Sequence, residues 1–395
     1  MTDGRLPQVV VVGGCAGAAI AHRLAEEGKR VTLLCHGDDV PSATDTNQKW
    51  LHSGLLYPSE SLAERAWTHR NIDWDIKAKY LVGPQKAYFL ALTDDTLRAR
   101  TDMWAKWKAD GRRVPDAYPL EAGDRARLAS LGINFSGGWV TPDCAVDFPA
   151  LVRDMRRHIA GQLEDSRHLP AIKATGTVME GARVLDLRRG PHGMTGVDYE
   201  WHGRRGTLTC DQCIVAAGAW SHELLEGIGV SLPLIRKKCL VVAFKRGIRE
   251  SQQDLDRITV WLDVEKEDGT RGDFTLVPYR DHILAAGTDF RVVYGVRGCS
   301  LEALRTAPSD VAALNAEMDQ CFASASVRPF SMSGFTPRTC FKTEQYNASH
   351  PCVDIKVYTE DEGMGGHGVR GLTVALPGKA SLMFDLAREV AKHIV

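Results

Sequence analysis

The sequence has almost no net charge and no long apolar run near its start, and each absence argues against a class of function. Its 49 Lys and Arg residues are balanced by 50 Asp and Glu residues, which gives a formal net charge of -1. Such a balance leaves no overall excess of positive charge that would attract nucleic acid or an anionic membrane surface. The first apolar run, residues 9–12, is far too short for a signal-peptide core or a membrane span. We therefore expect a cytoplasmic protein with no nucleic-acid partner and no transmembrane segment.

The sequence also lacks a repeated cysteine spacing. Its 10 cysteines are scattered along the chain, and in a reducing cytosol they are most simply free, buried thiols. Cys210 and Cys213 form a Cys-x-x-Cys pair, but no second Cys or His pair follows at zinc spacing. The pair runs straight into an apolar segment, which is typical of two thiols in a core strand. We expect no metal site.

What the sequence does contain is an α/β pattern at its start. A length of 395 residues suggests two or three domains, and 44% hydrophobic residues is an ordinary globular value. Residues 8–12 are predicted to form a buried strand, residues 18–27 a helix that ends at Gly28, and residues 30–35 a second strand. This strand-turn-helix-strand unit predicts a dinucleotide-binding crossover, although any α/β protein can begin in this way.

A glycine-rich turn joins the first strand to the helix, with the sequence Gly13-Gly14-Cys15-Ala16-Gly17. Glycines let the backbone approach a pyrophosphate, and the N-terminus of the next helix presents N–H groups and partial positive charge to it. The turn is one residue shorter than the usual fingerprint. The second strand ends at Cys35, where an acid usually accepts hydrogen bonds from ribose hydroxyls; Asp38 and Asp39 follow.

The middle of the chain is rich in strand patterns, whereas both ends are α/β. Short strands are predicted over residues 184–215, and strands of an antiparallel sheet over residues 239–300. Further elements are predicted as helices 59–72, 95–109, 150–159 (capped by Asp147), 311–323 and 381–394, with a strand at 372–376. The fold class expected is α/β (α+β): a discontinuous Rossmann-like nucleotide-binding domain with an inserted mixed or antiparallel-sheet domain.

Four further segments resemble FAD-dependent oxidoreductases of the D-amino-acid oxidase superfamily. Asn47, His52, Gly54 and Tyr57 match an Asn…His-x-Gly-x-x-Tyr run that recurs in the branch containing glycerol-3-phosphate and 2-hydroxyglutarate dehydrogenases. The other segments resemble the second FAD contact, the strand pair that crosses the substrate domain and the C-terminal flavin loop: residues 216–221, residues 276–278 with 286–288, and residues 377–382.

This resemblance implies FAD as cofactor and a specific division of the chain. The FAD-binding domain would comprise residues 1–75, 145–235 and 330–395, and the substrate-binding domain residues 76–144 and 236–329. The turn at residues 378–381 would stabilise negative charge on the reduced flavin. The cofactor-binding residues implied are Gly13, Gly14, Cys15, Ala16, Gly17, Cys35, His36, Asn47, Gln48, Trp50, Leu51, His52, Ala217, Gly218, Trp220, Gly378, Lys379, Ala380 and Ser381.

The resemblance also implies oxidation of a CH–OH or CH–NH group of a small, acidic substrate by hydride transfer to flavin N5. His52 is expected close to the flavin ring. There it would take a hydroxyl or amine proton, because the unperturbed pKa of histidine is near working pH. The open alternative is that His52 only packs against the flavin or hydrogen-bonds to it.

The family's usual grip on an anionic substrate is altered in this sequence. Many relatives carry an Arg before a Pro near position 336, whereas here Thr336 precedes Pro337 and Arg338 follows it. Arg338 and Lys342 are the expected cationic partners of the substrate, and surface charge is the alternative for both.

Weaker signals attach to six other residues. Tyr279 and Arg280 would line the sheet of the substrate domain. His367, in a glycine-rich segment, would reach the active site or carry a covalent flavin, with a simple loop as the alternative. Trp67, Trp104 and Trp107, with their apolar neighbours, are expected to pack in the core or between domains.

Other functions stay open. The short turn and Cys35 favour, as the alternative, a degenerate relative that binds flavin or nucleotide without turnover. A nicotinamide-dependent Rossmann enzyme is a third option, but it leaves the segments near residues 216 and 378 unexplained. The electron acceptor could be oxygen, a quinone or a redox protein.

Overall fold

The computed structural model describes residues 7–37, 43–57, 60–70, 78–82, 86–163, 169–245, 259–265, 271–280, 282–287, 291–294, 306–323, 335–345, 355–360 and 368–394. In these ranges the helices are α1 (Cys15–Glu26), α2 (Ala43–Thr46), α3 (Glu60–His69), α4 (Asp94–Ala109), α5 (Ala122–Ser130), α6 (Phe148–Ile159), α7 (Ser221–Gly227), α8 (Pro308–Cys321) and α9 (Met383–Ala391). The strands are β1 (Val9–Gly13), β2 (Val31–Cys35), β3 (Trp50–Leu51), β4 (Leu81–Val82), β5 (Ala87–Ala91), β6 (Tyr118–Pro119), β7 (Gly137–Thr141), β8 (Cys144–Val146), β9 (Thr177–Glu180), β10 (Arg183–Gly190), β11 (Gly193–Trp201), β12 (Arg204–Thr209), β13 (Gln212–Ala216), β14 (Leu234–Lys245), β15 (Thr259–Glu265), β16 (Arg271–Tyr279), β17 (His282–Ala286), β18 (Arg291–Tyr294), β19 (Phe335–Gln345), β20 (Lys356–Tyr358) and β21 (Leu372–Leu376).

A six-stranded sheet in the order β20-β21-β13-β1-β2-β9 forms the first half of the molecule. All its neighbours are parallel except β20 and β21. Both faces are covered, so β1 is a continuous run of buried valines. Val9 and Val11 pack with α1, α6 and α9 on one face, while Val10 and Val12 pack on the other face, beside the β10-β11-β12 sheet.

A nine-stranded sheet forms the second half. It runs β18-β14-β17-β16-β15-β5-β7-β6, with β19 paired to β14. One face buries Tyr88 and Leu240 among other apolar residues, including those of α8, and the opposite face buries Phe89, Trp104 and Trp107. The tryptophans of α4 are therefore core residues, as predicted, whereas Trp67 of α3 is only partly buried and Arg70 lies over its ring.

The position of β19 changes the domain boundaries that we propose. The sequence-based division assigns residues 330–395 to the FAD-binding part, but β19 pairs along its whole length with β14 in the nine-stranded sheet. The chain returns to the six-stranded sheet only with β20 and β21. We therefore draw the last boundary between residues 345 and 355.

All six predicted helices are present, but α8 begins at Pro308 rather than at residue 311, and α5, β5 and β7 have no counterpart among the predictions. Helix α1 begins at Cys15, three residues before the predicted start. The turn between β1 and α1 consists of Gly14 alone, so Cys15, Ala16 and Gly17 belong to the helix. Gly28, with φ +85°, follows the C-cap of α1 and terminates the helix, as predicted.

Two further expectations concern the cysteines and the membrane. Cys210 and Cys213 are free and buried in one apolar cluster, as a core-strand interpretation of the pair predicts. Within the described ranges, no helix has the length and apolar character needed to cross a membrane. Residue 59, where the second predicted helix begins, and the candidate His367 lie outside the described residues.

Candidate active site

A cavity of about 920 Å³ opens at the carboxyl ends of the parallel strands. Residues at or just after the ends of β1, β2, β9, β13 and β21 line it together. In open α/β sheets this edge is where ligands bind. Nearly all the predicted cofactor-binding residues line the cavity; the exceptions are Gly17, Cys35 and Leu51.

The turn from β1 into α1 forms one wall of the cavity. Gly14 precedes α1 and has no side chain to cap it, and a Cβ built on Gly14 would meet no atom within 4 Å. The first hydrogen bond into the helix runs from Ala18 N–H to Gly14 C=O at 2.9 Å, so the earlier N–H groups have no intrahelical acceptor. The shortened turn therefore places the start of α1 directly beside the cavity.

Gly13 and Gly17 differ in how closely a side chain there would approach its neighbours. A Cβ on Gly13 would overlap the backbone carbonyl of Ala216 on β13, whereas a Cβ on Gly17 would sit 3.5 Å from Leu33, an ordinary contact. Gly17 therefore marks close packing of α1 on the sheet and does not line the cavity. Of the two, only Gly13 is sterically obligatory.

Two more backbone turns edge the same cavity. Gly218, φ +57°, follows β13, and Gly378, φ +61°, follows β21. Both residues adopt left-handed backbone conformations that favour glycine. The ring of Trp220 lies 6.4 Å from the ring of His36, and both line the cavity.

Cationic side chains outnumber carboxylates around the cavity. The cations are Arg153, Arg156, Arg157 and Lys379, and the carboxylates are Glu180 and Glu223. The three arginines all come from α6. Together with the N-terminus of α1, they make the cavity suitable for a pyrophosphate.

The loop that carries His52 enters the cavity beside the nucleotide turn. Asn47 Oδ1 accepts a hydrogen bond from Lys49 N–H at 2.8 Å, and Lys49 has φ +57°. His52 is only 8% exposed, and its ring centroid lies 5.9 Å from that of Trp50 and 5.7 Å from that of Tyr57. This aromatic packing holds the imidazole at the cavity wall.

A buried carboxylate anchors this loop from behind. Asp143 accepts hydrogen bonds from Ser53 N–H and, at 2.8 Å, from the hydroxyl of Thr141. Burial raises the pKa of Asp143 above its ordinary value despite these donors. Gly54 follows at φ +101°, where a Cβ would overlap the carbonyl of Ala63.

We expect Asp143→Ala to lower the free energy of unfolding by about 1–3 kcal/mol, because it leaves the buried Ser53 N–H without its acceptor. Urea unfolding of the purified variant measures the change. Asp116→Ala is the control, because the Asp116–Lys108 ion pair is exposed and such pairs contribute at most about 1 kcal/mol. Equal losses in the two variants would contradict a special role for Asp143.

Tyr279 and Arg280 do not line the cavity. The Tyr279 hydroxyl donates to Asp147 Oδ1 at 2.7 Å, and Arg280 Nε donates to Asp147 Oδ2 at 3.1 Å. Asp147 also caps α6 through Ala150 N–H at 3.1 Å, as predicted. Through these bonds the nine-stranded sheet is joined to α6. Tyr279 and Arg280 contact Asp147 rather than the cavity.

This network predicts acid sensitivity. Burial opposes the charge of Asp147, but the hydrogen bonds from Tyr279 and Arg280 outweigh it and lower the pKa below its ordinary 3.8. A carboxyl whose folded-state pKa is depressed contributes stability above pH 3.8, which is lost as the pH falls through the folded-state pKa. In Asp147→Asn we expect Tm to fall less steeply below about pH 4 than in the unmodified protein. Calorimetry between about pH 6 and pH 2.5 checks this, with the exposed Asp95→Asn as control; a profile as steep as that of the unmodified protein would contradict it.

The structure describes the side chain of only one of the two predicted substrate cations. Arg338 on β19 is exposed and does not line the cavity. Lys342 pairs through its backbone register with Lys237 on β14, and its side chain lies outside the described part of the chain. Among the described side chains of β19, Thr343 lines the cavity.

Sequence reasoning missed one part of the cavity wall. It comprises α6 and the end of the β11–β12 hairpin: Phe148, Arg153, Arg156, Arg157, Trp201 and His202, with Glu180 between them. The Arg-x-x-Arg-Arg run of α6 was visible in the sequence, but only packing of the helix on the sheet decides that it borders the cavity.

The parallel sheet, its glycine turns and the large cationic cavity define a dinucleotide-binding protein. A sequence profile of the family described as FAD dependent oxidoreductase (DAO) matches residues 8–380. The chain therefore belongs to this family. The expected family, fold class and cofactor are confirmed, and the cavity described above fits FAD in its glycine turns at the strand ends and in its cationic side chains.

Similar proteins fall into two groups by their names. The chain is 28% identical over 232 residues to one subunit of the anaerobic glycerol-3-phosphate dehydrogenase of Escherichia coli K12, covering 57% of this chain and 40% of that protein. It is 26% identical over 260 residues to the glycine oxidase of Pseudomonas aeruginosa, covering 60% and 62%. Glycerol-3-phosphate dehydrogenase from Bacillus halodurans, solved in complex with FAD, has a similar fold, with a TM-score of 0.69, 14% identity and coverage of 100% of this chain and 65% of that one. The chain thus matches about two fifths of the first relative's length.

Proposed function

We propose that this protein oxidises a CH–OH or CH–NH group of a small, acidic substrate. The observation that carries the proposal is His52, held buried at the wall of a cavity that fits FAD. When bound, the flavin supplies the hydride-accepting atom. The protein must then supply orientation, a proton acceptor and exclusion of water.

His52 is the candidate proton acceptor. Neutral imidazole can take a hydroxyl or amine proton near neutral pH, and general-base catalysis of this kind contributes about 10²–10⁴-fold in rate. The packing of Trp50 and Tyr57 around the ring limits its rotation. A fixed ring lowers the entropic cost of reaching a productive geometry.

The donors of the backbone turns have a separate role. The N-terminus of α1 and the turn at residues 378–381 both border the cavity. The first would hold the pyrophosphate, and the second would stabilise negative charge near the flavin's pyrimidine ring by about 0.3–2 kcal/mol. Arg338 and Lys342 remain our proposed charge partners for the acidic substrate, supported only by their place on β19, the strand that brings Thr343 to the cavity.

Two donor classes follow from the names of the relatives, and one experiment separates them. The holoprotein is mixed anaerobically with sn-glycerol 3-phosphate, 2-hydroxyglutarate, glycine and other amino acids while flavin absorbance is recorded. Bleaching by a hydroxy compound or by an amine assigns the class. Reoxidation of the reduced flavin by air would indicate an oxidase. Reoxidation by a quinone, or by neither, would indicate a dehydrogenase.

The alternative is a relative that binds FAD without turnover, motivated by the short turn and Cys35. It predicts normal photoreduction of the flavin but no bleaching by any donor in a broad panel. The similarity to a glycerol-3-phosphate dehydrogenase and to a glycine oxidase favours the enzyme.

A further inference from the structure

The end of β2 lacks the carboxylate that normally binds the adenosine ribose. Cys35 occupies this position, is buried, and does not line the cavity. Its Sγ lies 3.9 Å from the backbone oxygen of Met179. A thiol is a weak hydrogen-bond partner, and this one faces the core. The ribose therefore needs another acceptor.

The neighbouring strand, β9, carries a carboxylate at the position that pairs with Cys35. Strands β2 and β9 are parallel, and their register pairs Cys35 with Glu180. Paired residues on adjacent strands are about 5 Å apart. Both strands end here, at the carboxyl edge of the sheet, and Glu180 lines the cavity where Cys35 does not.

The structure fixes Glu180 from two sides. Its backbone oxygen accepts a hydrogen bond from Trp201 Nε1 at 2.8 Å. Its carboxylate lies 3.5 Å from Arg156 of α6, whose side chain is only 16% exposed. The Glu180 side chain is itself 58% exposed, so its oxygens retain room to accept further hydrogen bonds.

We propose that Glu180 binds the ribose hydroxyls of the adenosine half of FAD, in place of the acid missing at Cys35. Two carboxylate oxygens can accept from two vicinal hydroxyls. Arg156 orients the carboxylate. This inference concerns cofactor binding alone, so it holds whether or not the protein turns over a substrate.

The first test is the affinity of the apoprotein for FAD, measured by quenching of flavin fluorescence. We expect Glu180→Gln to weaken binding about 10- to 100-fold, the usual effect of losing a hydrogen bond to a charged group. Glu200→Gln, an ion-paired residue of β11 outside the cavity, should leave the affinity unchanged. The Tm of each apoprotein confirms that folding is intact.

The second test asks which group of the cofactor is contacted. ADP, 2′-deoxy-ADP and 3′-deoxy-ADP are compared as competitors of FAD. In the unmodified protein, removing a bound hydroxyl should weaken competition, and in Glu180→Gln the same removal should have little further effect.

Two results would overturn the proposal. One is equal sensitivity of the unmodified protein and Glu180→Gln to loss of either ribose hydroxyl. The other is unchanged FAD affinity in Glu180→Gln together with a loss in Asp38→Asn or Asp39→Asn, which would assign the ribose to the acids that follow Cys35 in the sequence.

Discussion

Replacing His52 with glutamine is expected to slow flavin reduction by substrate about 10²–10⁴-fold, the usual contribution of a general base. Glutamine keeps a polar side chain of similar length but cannot take the proton. The rate should be measured by anaerobic stopped flow with the donor identified in the panel. In the unmodified protein the rate should rise with pH through a histidine ionisation, and this limb should vanish in His52→Gln, because only neutral imidazole is a base.

The control and the competing role are both measurable. His192→Gln makes the same chemical change at an exposed turn between β10 and β11 and should leave the rate unchanged. If His52 only packs against the flavin, His52→Gln will weaken FAD binding, while the protein that still holds FAD will react at the normal rate. That outcome would reject His52 as a catalytic residue.

The second large effect concerns the glycine turn. Gly13→Ala is expected to lower the free energy of unfolding by roughly 2–4 kcal/mol, because its methyl group would overlap the Ala216 carbonyl where β1 pairs with β13. The strands cannot move apart without disturbing a buried parallel pair. Urea unfolding of the apoprotein measures the loss without any contribution from FAD.

Gly17→Ala is the matched control with the opposite sign. Its Cβ meets only ordinary contacts, and the residue lies inside α1. Alanine in a helix is more stable than glycine by about 0.5–1 kcal/mol, so this variant should be neutral or slightly stabilised. A similar loss in both variants would show that the turn tolerates no side chain at either position.

The two glycines also show where fingerprint reasoning is limited. Read along the sequence, Gly13 and Gly17 are equivalent members of a nucleotide-binding turn. In the structure one avoids a backbone carbonyl and the other packs at ordinary distance, and neither distance has a counterpart in local sequence. The same limit explains Arg338, whose place beside a proline resembles a substrate grip but whose strand leaves it exposed.

The sequence by itself determined the first crossover, the approximate positions of six helices, the family and the glycine turns that meet at one cavity. These features depend on local causes: valine runs, capping residues such as Asp147, and glycines where the backbone must turn. Only the tertiary structure decided which side chains complete the cavity. Helix packing brings the arginines of α6 to the cavity, and strand register places Glu180 there beside Cys35. Asp143 comes to lie behind His52. Each of these arrangements joins residues far apart in the chain, so no local pattern encodes it.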